Sequence, residues 1–206
     1  MPGGYHGILG ANTVDVEGTC MQLDPASGWC LGVNTCPSPN FNARPTGEVS
    51  LLVIHNISLP PAQFATGKVQ EFFQNRLDVT EHPYFEGIAD LRVSAHFLIE
   101  RDGTVTQFVS CLERAWHAGV SCFGGRETCN DFSLGIELEG TDDLPFTDAQ
   151  YDALTALTLQ LQSAFTAITP QRICGHSDIA PGRKTDPGPA FDWARYRAAV
   201  AKEEQQ

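Results

Sequence analysis

Two short apolar segments of this 206-residue chain have the pattern of buried β-strands, SLLVIHN at residues 50–56 and FSLGIELEG at 132–140. Side chains alternate between the two faces of a strand. The second segment therefore separates an apolar face, which starts at Phe132, from a face that carries Gly135, Glu137 and Glu139. Both carboxylates point the same way. The first segment ends near His55, before a Pro-Pro turn, which predicts that His55 lies at a strand end.

Further periodic segments predict helices and a hairpin around these strands. Residues 67–77 carry apolar side chains at helical spacing, and residues 92–110 predict two strands joined at Asp102-Gly103. Thr147 and Gln150 resemble a capping box that opens a helix ending before Pro170, and a last helix is predicted over 192–201. This alternation predicts the α/β class, with a mixed central β-sheet flanked by α-helices.

The length and the charge of the chain limit the classes of protein to which it can belong. A chain of 206 residues with 42% hydrophobic side chains can bury the core of one domain. Its formal net charge of −12 argues against nucleic acid or an anionic membrane as the partner, because the field repels phosphates. The apolar runs are also far shorter than the roughly 20 residues that a membrane helix needs. We expect an acidic monomer that binds neither nucleic acid nor a membrane.

The N-terminal part differs from the rest of the chain. Residues 1–27 are Gly-rich and weakly patterned, and we expect a disordered or artefactual extension ahead of a domain spanning 28–206. The first twenty residues lack the basic start and continuous apolar segment of a secretory signal. The seven cysteines form no CxxC pair, which fits a reducing compartment. These features predict a cytoplasmic protein.

The loop RICGHSDIAPGRKTDPGPAF at 172–191 holds three reactive side chains, those of His176, Lys184 and Asp186. Core packing does not explain such a loop, because it has few apolar side chains and many polar groups that need partners. Catalytic zinc sites use three protein ligands, often His or carboxylate, and leave one position for water. His55, His176 and Asp186 could form that set. Two ordinary strand-end histidines would give the same pattern.

Other residues compete as ligands of such a metal. His96 and His117 are alternatives, although the position of His96 within the AHFLI strand favours a hydrogen-bonded structural histidine. Cys174 lies two positions before His176 and could supply a thiolate. Spacing alone does not choose among them.

Two further roles follow from the chemistry of metal-assisted hydrolysis. A metal-bound hydroxide that attacks a carbonyl needs a carboxylate base, for which Glu137 and Glu139 are equally suited by spacing. A cation beside the oxyanion would stabilise it, and Lys184 lies two residues from a proposed ligand. The structural alternatives are solvent-facing glutamates and a solvated loop lysine.

Five segments of the chain occur in the same order in one known family: VIHNISLPP at 53–61, LRVSAHFLIERDG at 91–103, RAWHAGVS at 114–121, NDFSLGIELEGTD at 130–142 and GHSDIAPGRKTDPGPAFDW at 175–193. They resemble the AmpD-type anhydro-muramyl-peptide amidases, which are related to the peptidoglycan-recognition proteins and phage T7 lysozyme. The resemblance runs from about residue 28 to residue 197. Members of that group typically begin near the position of Met21.

The resemblance implies a zinc amidase that cleaves the amide between N-acetyl-1,6-anhydromuramic acid and L-alanine of the muropeptide during cell-wall recycling. It implies a mixed sheet flanked by helices, with zinc (Zn2+) in a surface groove. By position, His55, His176 and Asp186 match the zinc ligands, Glu137 the proton acceptor and Lys184 the residue that stabilises the transition state. In that family, destroying the anhydro-muropeptide also keeps β-lactamase induction off.

For the walls of the substrate groove we predict five residues: Asn56, Arg92, Trp116, His117 and Arg126. An aromatic face suits a sugar, and an arginine suits peptide carboxylates. A place for Trp116 in the core and a structural ion pair for Arg92 are the alternatives. Two other functions compete: a lytic amidase acting on polymeric peptidoglycan, and a non-catalytic muropeptide-binding module. Retention of every matched ligand and catalytic residue disfavours the second.

Overall fold

The computed structural model describes residues 21–203. Its strands are β1 (Gln22–Asp24), β2 (Trp29–Leu31), β3 (Asn34–Thr35), β4 (Phe41–Ala43), β5 (Leu51–Ile57), β6 (Phe97–Ile99), β7 (Val105–Gln107), β8 (Glu113–Ala115), β9 (Cys122–Phe123), β10 (Arg126–Glu127), β11 (Ser133–Glu139) and β12 (Ile173–Gly175). Its α-helices are α1 (Lys68–Phe73), α2 (Pro83–Glu86), α3 (Asp148–Ala164), α4 (His176–Ile179) and α5 (Trp193–Glu203). Strands and helices alternate, as predicted.

A six-stranded mixed sheet forms the centre of the molecule, in the order β12-β5-β11-β6-β7-β3. The four strands β12, β5, β11 and β6 run parallel, whereas β7 is antiparallel to β6. The latter pair is the hairpin predicted at Asp102-Gly103, where Gly103 adopts a φ of 88° that few other residues tolerate. The predicted mixed central sheet is confirmed. Because the parallel strands end at the same edge, residues at their carboxyl ends meet there.

Each face of the sheet is covered by a separate apolar layer. Ile54 and Ile136 face α3 and α5 in the largest hydrophobic cluster of the described residues, which also contains Leu154 and Tyr196. The opposite face packs in other clusters. Phe132, predicted on the same face as Ile136, instead packs in one of these, because it precedes β11 at the end of a short 3-10 turn. The two longest helices, α3 and α5, therefore cover one face, whereas the other face carries His55 and Glu137 among its apolar side chains.

The predicted helices differ from the observed ones mainly at their ends. The capping box of Thr147 and Gln150 is confirmed, and α3 follows it. The helix predicted over 67–77 ends earlier, at Phe73, because Asn75 adopts a left-handed φ of 58° that breaks the helical path. The last predicted helix corresponds to α5.

The folded part begins earlier than predicted. β1 lies inside the segment 1–27 that we expected to precede the domain, yet it pairs with β2 and buries Leu23. This pairing extends the described fold back to Met21, whereas the expectation for residues 1–20 lies outside the described residues. No helix within 21–203 has the length and apolarity to cross a membrane.

Candidate active site

Strand register sets the positions of three predicted site residues. β5 and β11 are parallel neighbours in which Glu137 is the Cα partner of His55. On the other side of β5, Gly175 of β12 pairs with Ile54, so the next residue, His176, reaches the level of His55. His55 lies within β5 rather than at its end, because the strand continues to Ile57.

Three side-chain atoms converge at this level. Nδ1 of His55 lies 2.9 Å from Nδ1 of His176, and Oδ2 of Asp186 lies 3.0 Å from each of these nitrogens. Both imidazoles are buried, whereas the Asp186 side chain is 14% exposed. The structure therefore brings together the three predicted metal ligands, with Asp186 on the side that opens to solvent.

The loop after α4 returns Asp186 to the two histidines. The backbone N–H of Lys184 donates to the carbonyl of Ala180, and that of Ser177 donates to the carbonyl of Asp186. These two bonds close the loop onto the first turn of α4. The nine intervening residues thus place a carboxylate beside His176, a geometry that the Gly/Pro-rich composition allowed but did not specify.

The outer nitrogens of both histidines also have partners within the protein. Nε2 of His176 lies 3.1 Å from the carbonyl oxygen of Ala118, which can only accept, and this contact favours a proton on Nε2 and a lone pair on Nδ1. Nε2 of His55 lies 2.9 Å from Nδ1 of His117. Burial lowers the pKa of His55 to about 4, which favours the neutral ring that a metal requires.

A cation fits this set of donor atoms. Two imidazole nitrogens and one carboxylate oxygen lie within 4.8 Å of one another, close enough to share one ion. The third donor atom, Oδ2 of Asp186, lies 3.0 Å from both nitrogens and supplies the carboxylate ligand of the set. Two histidines and one carboxylate are the ligand type of catalytic zinc sites with an open position.

The structure separates the two glutamates that spacing left equivalent. Glu139 accepts hydrogen bonds from the backbone N–H groups of Ala65 and Arg101, at 2.7 and 3.2 Å, and is therefore a structural residue. Within the described residues, Oε2 of buried Glu137 has no hydrogen-bond partner. Burial raises the pKa of Glu137 well above its ordinary value, the charge of Asp186 adds to this, and Lys184 opposes it. Glu137 is thus the carboxylate available for proton transfer.

These residues line one end of a groove of about 420 Å³. The polar part of its wall includes Asn56, Thr141, Asp142, Glu137 and Lys184. The apolar part comes from the segments around α1 and α2 and from the residue after β8, with side chains of Leu59, Phe72, Tyr84, Ile88, Leu91, Val93 and Trp116. The groove therefore offers one polar, metal-binding end and one apolar wall.

Three of the five predicted wall residues line this groove. Asn56 donates to Oδ1 of Asp142 at 2.7 Å, and the indole N–H of Trp116 donates to Asn42 at 2.7 Å. His117 lines the groove too, but both of its ring nitrogens are engaged by protein groups. Trp116 is consequently held at the groove wall rather than in the core.

The two arginines predicted for the groove do not line it. Arg92 is exposed and donates to the backbone carbonyls of Ala89 and Leu91 in its own loop. Arg126 pairs with Glu48 at 2.7 Å, near the start of β5, whereas the groove lies where β5 ends. Contact of these two arginines with substrate therefore stays a prediction, although Arg92 lies between Leu91 and Val93, which both line the groove.

Two of the three competing ligand candidates, Cys174 and His96, lie away from the ligand cluster, and the third, His117, is engaged by protein groups as described above. Cys174 is buried in an apolar cluster with Leu51 and Val53, and burial raises the pKa of its thiol to about 12, so it is not a thiolate. Nδ1 of His96 accepts from the backbone N–H of Gly135 at 3.0 Å. His96 is therefore the structural histidine that its strand position indicated.

The burial of His96 predicts a pH-dependent stability. Burial, with a smaller contribution from Arg44, holds its pKa well below the ordinary value in the folded state. The unfolded chain binds the proton at about pH 6.5, so the free energy of unfolding should fall below that pH by about 1.4 kcal/mol per unit from this residue alone. Urea unfolding of the wild type and of His96→Asn between pH 7.5 and 5.5 measures this. Asparagine keeps an acceptor near the position of Nδ1 but does not titrate. If the free energy of unfolding depended on pH with the same slope in both proteins, the prediction would be contradicted.

The part of the groove wall that sequence analysis missed is the apolar one. Tyr84 and Leu91 are 45% and 49% exposed on segments without helical or alternating periodicity. No local signal in HPYFEGIADL distinguishes groove residues from ordinary surface residues. Asn130 and Ser133, which hold the His117 segment, were missed for the same reason.

Comparison with known proteins agrees with this geometry. Residues 45–189 match the family model described as N-acetylmuramoyl-L-alanine amidase. The 1,6-anhydro-N-acetylmuramyl-L-alanine amidase AmpD of Escherichia coli (strain K12) is 55% identical over 177 residues, which cover 85% of this chain and 96% of that protein.

Solved structures agree as well. The crystal structure of a Se-Met AmpD derivative has 55% sequence identity and a TM-score of 0.84, covering 87% of this chain and 99% of that one. A complex of AmiD from E. coli with the substrate anhydro-N-acetylmuramic acid-L-Ala-D-γ-Glu-L-Lys has 27% identity and a TM-score of 0.55, covering 87% of this chain and 65% of that one. The family model covers well over half of the chain and the AmpD relative matches almost end to end, so this chain belongs to the N-acetylmuramoyl-L-alanine amidase family.

Proposed function

We propose that this protein is a zinc-dependent amidase that hydrolyses the bond between 1,6-anhydro-N-acetylmuramic acid and L-alanine in muropeptides, in cytoplasmic peptidoglycan recycling. The observation that carries the proposal is the position of Glu137, the in-register partner of His55, beside the cluster of His55, His176 and Asp186. The 55% identity to AmpD, whose name specifies this substrate bond, supports the choice of substrate.

His55, His176 and Asp186 are the residues that would hold the zinc ion. When bound, zinc polarises a carbonyl and makes water acidic enough to react near neutral pH. The ligand atoms need no rearrangement of the elements that carry them, since all three lie within 4.8 Å of one another. The remaining residues of the site then determine where protons and charge move.

Glu137 is the general base of the proposed reaction. Its carboxylate is buried at the polar end of the groove, and its raised pKa suits a group that first accepts a proton from the attacking water and then gives it up. The receiving group is the alanine nitrogen, which must be protonated to leave. Glu139 cannot share this role, because its two oxygens are held by Ala65 and Arg101.

Lys184 supplies positive charge for the oxyanion. It lies on the same groove wall as Glu137 and Asp186, on the loop that Ala180 closes. A positioned cation of this kind stabilises the tetrahedral oxygen more than the ground-state carbonyl, which lowers the barrier. Its exposed position lets the substrate carbonyl approach it from the open side of the groove.

The groove favours a small muropeptide with a distinct apolar surface. The wall formed by Tyr84, Leu91, Val93 and Trp116 suits the bridged anhydro sugar, while Asn56 and Thr141 can bond to the stem peptide. AmiD, a structural relative, has been solved with an anhydro-muramyl tripeptide. We extend the proposal to a monomer that lowers β-lactamase induction by removing the anhydro-muropeptide, and the unpaired state of the six cysteines within 21–203 fits a cytoplasmic protein.

The test compares two substrates with one zinc-loaded preparation. We expect cleavage of anhydro-muramyl tripeptide into the anhydro sugar and the free tripeptide, detected by mass spectrometry, and little release from intact peptidoglycan. Preferential release from the intact wall would favour a lytic amidase instead. Saturable binding of the fragment without cleavage would favour the binding module and contradict the roles of Glu137 and Lys184.

A further inference from the structure

We propose that His117 is a positioning residue that holds the imidazole of His55 in its metal-binding tautomer, and that the segment 116–118 orients both histidine ligands. The inference rests on the proposed zinc site, and it assigns His117 a role different from the substrate contact expected from sequence. It concerns which atoms carry protons and is independent of which muropeptide is bound.

The first observation is a chain of three polar groups that ends at the metal site. Nε2 of His55 lies 2.9 Å from Nδ1 of His117, and Nε2 of His117 lies 3.1 Å from Oγ of Ser133. The two rings meet edge to face, with an interplanar angle of 87°. Every nitrogen of His117 is therefore used within the protein, which leaves no polar atom of this ring for the substrate.

The direction of the bonds decides the tautomer of His55. If Nδ1 of His117 accepts, His55 carries its proton on Nε2 and has a lone pair on Nδ1, the atom that faces His176 and Asp186. The opposite direction would place the proton of neutral His55 on Nδ1, where it would block the metal. Ser133 permits the first direction, because a hydroxyl oxygen can accept from Nε2 of His117. Such outer partners commonly fix the orientation of a ligating histidine.

Gly135 makes room for the ring. A Cβ atom at this position would lie 2.5 Å from Cγ and 2.6 Å from Nδ1 of His117, too close for any side chain unless the ring moved. On one face of β11, Ser133 thus holds the far end of the ring, Gly135 accommodates its middle and Glu137 faces the metal site. This explains the alternation of small and acidic residues that the sequence shows there.

The backbone of the same segment orients the second histidine. The carbonyl of Ala118 accepts from Nε2 of His176, while the side-chain oxygen of Asn130 accepts from the backbone N–H groups of both His117 and Ala118, at 3.1 and 2.8 Å. Asn130 is buried, and buried Arg44 bonds to its carbonyl. One rigid segment therefore controls the outer nitrogens of both histidine ligands.

A pair of variants with side chains of similar shape tests the role of His117. The Oδ1 of asparagine occupies nearly the position of Nδ1 in histidine, so His117→Asn keeps the acceptor, whereas His117→Leu removes it at similar volume. We expect His117→Leu to bind zinc about 10–100-fold more weakly in a chelator competition, and His117→Asn to recover most of that loss.

The control variant is His82→Asn, which removes a partly buried histidine outside the ligand cluster and keeps an N-cap for α2, and it should leave zinc affinity unchanged. If His117→Leu does not fold, Ser133→Ala replaces it, because it removes only the partner of Nε2 and should weaken zinc binding less. The positioning role would be overturned if the wild type, His117→Asn and His117→Leu bound zinc with equal affinity. It would also be overturned if the two variants lost the same amount of zinc affinity. A wild type that binds no zinc would overturn the proposed function itself.

Discussion

Substitution of Glu137 by glutamine should lower kcat for anhydro-muramyl tripeptide by about 10²–10⁴-fold, the usual contribution of a general acid-base residue. KM and zinc content should stay close to wild type, because Glu137 is not among the three clustered ligands. The variant should also be at least as stable as wild type. A buried carboxylate whose Oε2 has no partner among the described residues destabilises the fold when charged, and the neutral amide relieves this.

Glu139→Gln is the matched control, two residues along the same face of β11. It should retain activity but lose about 1–3 kcal/mol of unfolding free energy, because an amide group cannot accept from both Ala65 and Arg101. Steady-state kinetics and urea unfolding of the two variants should thus give opposite patterns. An active Glu137→Gln, or a stable but inactive Glu139→Gln, would show that the base has been assigned to the wrong carboxylate.

Replacement of Asp186 by alanine should remove zinc and activity together. The substitution takes away the only carboxylate of the clustered ligand set and leaves the nitrogens of His55 and His176 without an anionic partner at 3.0 Å. We expect zinc affinity to fall by more than the roughly 100-fold typical of losing an outer-shell partner. Activity should fall to background at micromolar zinc and recover in part at high zinc concentration. Metal analysis after dialysis and a zinc titration of activity measure both effects.

Asp178→Asn serves as the control in the same loop. Its carboxylate accepts from the backbone N–H of Gly175 at 2.8 Å, a bond that asparagine preserves at a helix N-terminus. Zinc content and activity should match wild type. Removal of zinc from the wild type by a chelator should abolish cleavage, and added zinc should restore it. Full activity of Asp186→Ala after exhaustive chelation would rule out this ligand set.

Local sequence patterns sufficed for the elements that carry the site. The short apolar run in SLLVIHN and the alternation in FSLGIELEG identified the two central strands. The alternation also put Glu137 and Glu139 on one face, because a strand repeats every two residues. The Thr147 capping box located the start of α3 for a similarly local reason. Where one residue broke the pattern, as the left-handed Asn75 does after α1, the predicted end of the element was wrong.

Resemblance to a family extended the prediction to the ligands and the base, which local patterns left open. It could not locate the groove wall. Arg126 was predicted to contact substrate but pairs with Glu48 at the opposite end of β5, while Tyr84 and Leu91 line the groove without any periodic signal. Which loops meet at one edge of a sheet depends on connections between distant segments, and no short window of sequence contains that information.

By itself, then, the sequence determined the strands, the helices and the set of reactive side chains, because these depend on side-chain alternation and residue chemistry. Only the tertiary structure decided which of those side chains act together. The parallel register of β5 and β11 places Glu137 beside His55. Glu139 has a structural role instead, because its carboxylate accepts hydrogen bonds from the backbone N–H groups of Ala65 and Arg101. His117 contacts His55, which lies 62 positions away in the sequence, and Ser133, which lies 16 positions away. Such bonds arise only when the sheet has brought distant residues within about 3 Å of each other.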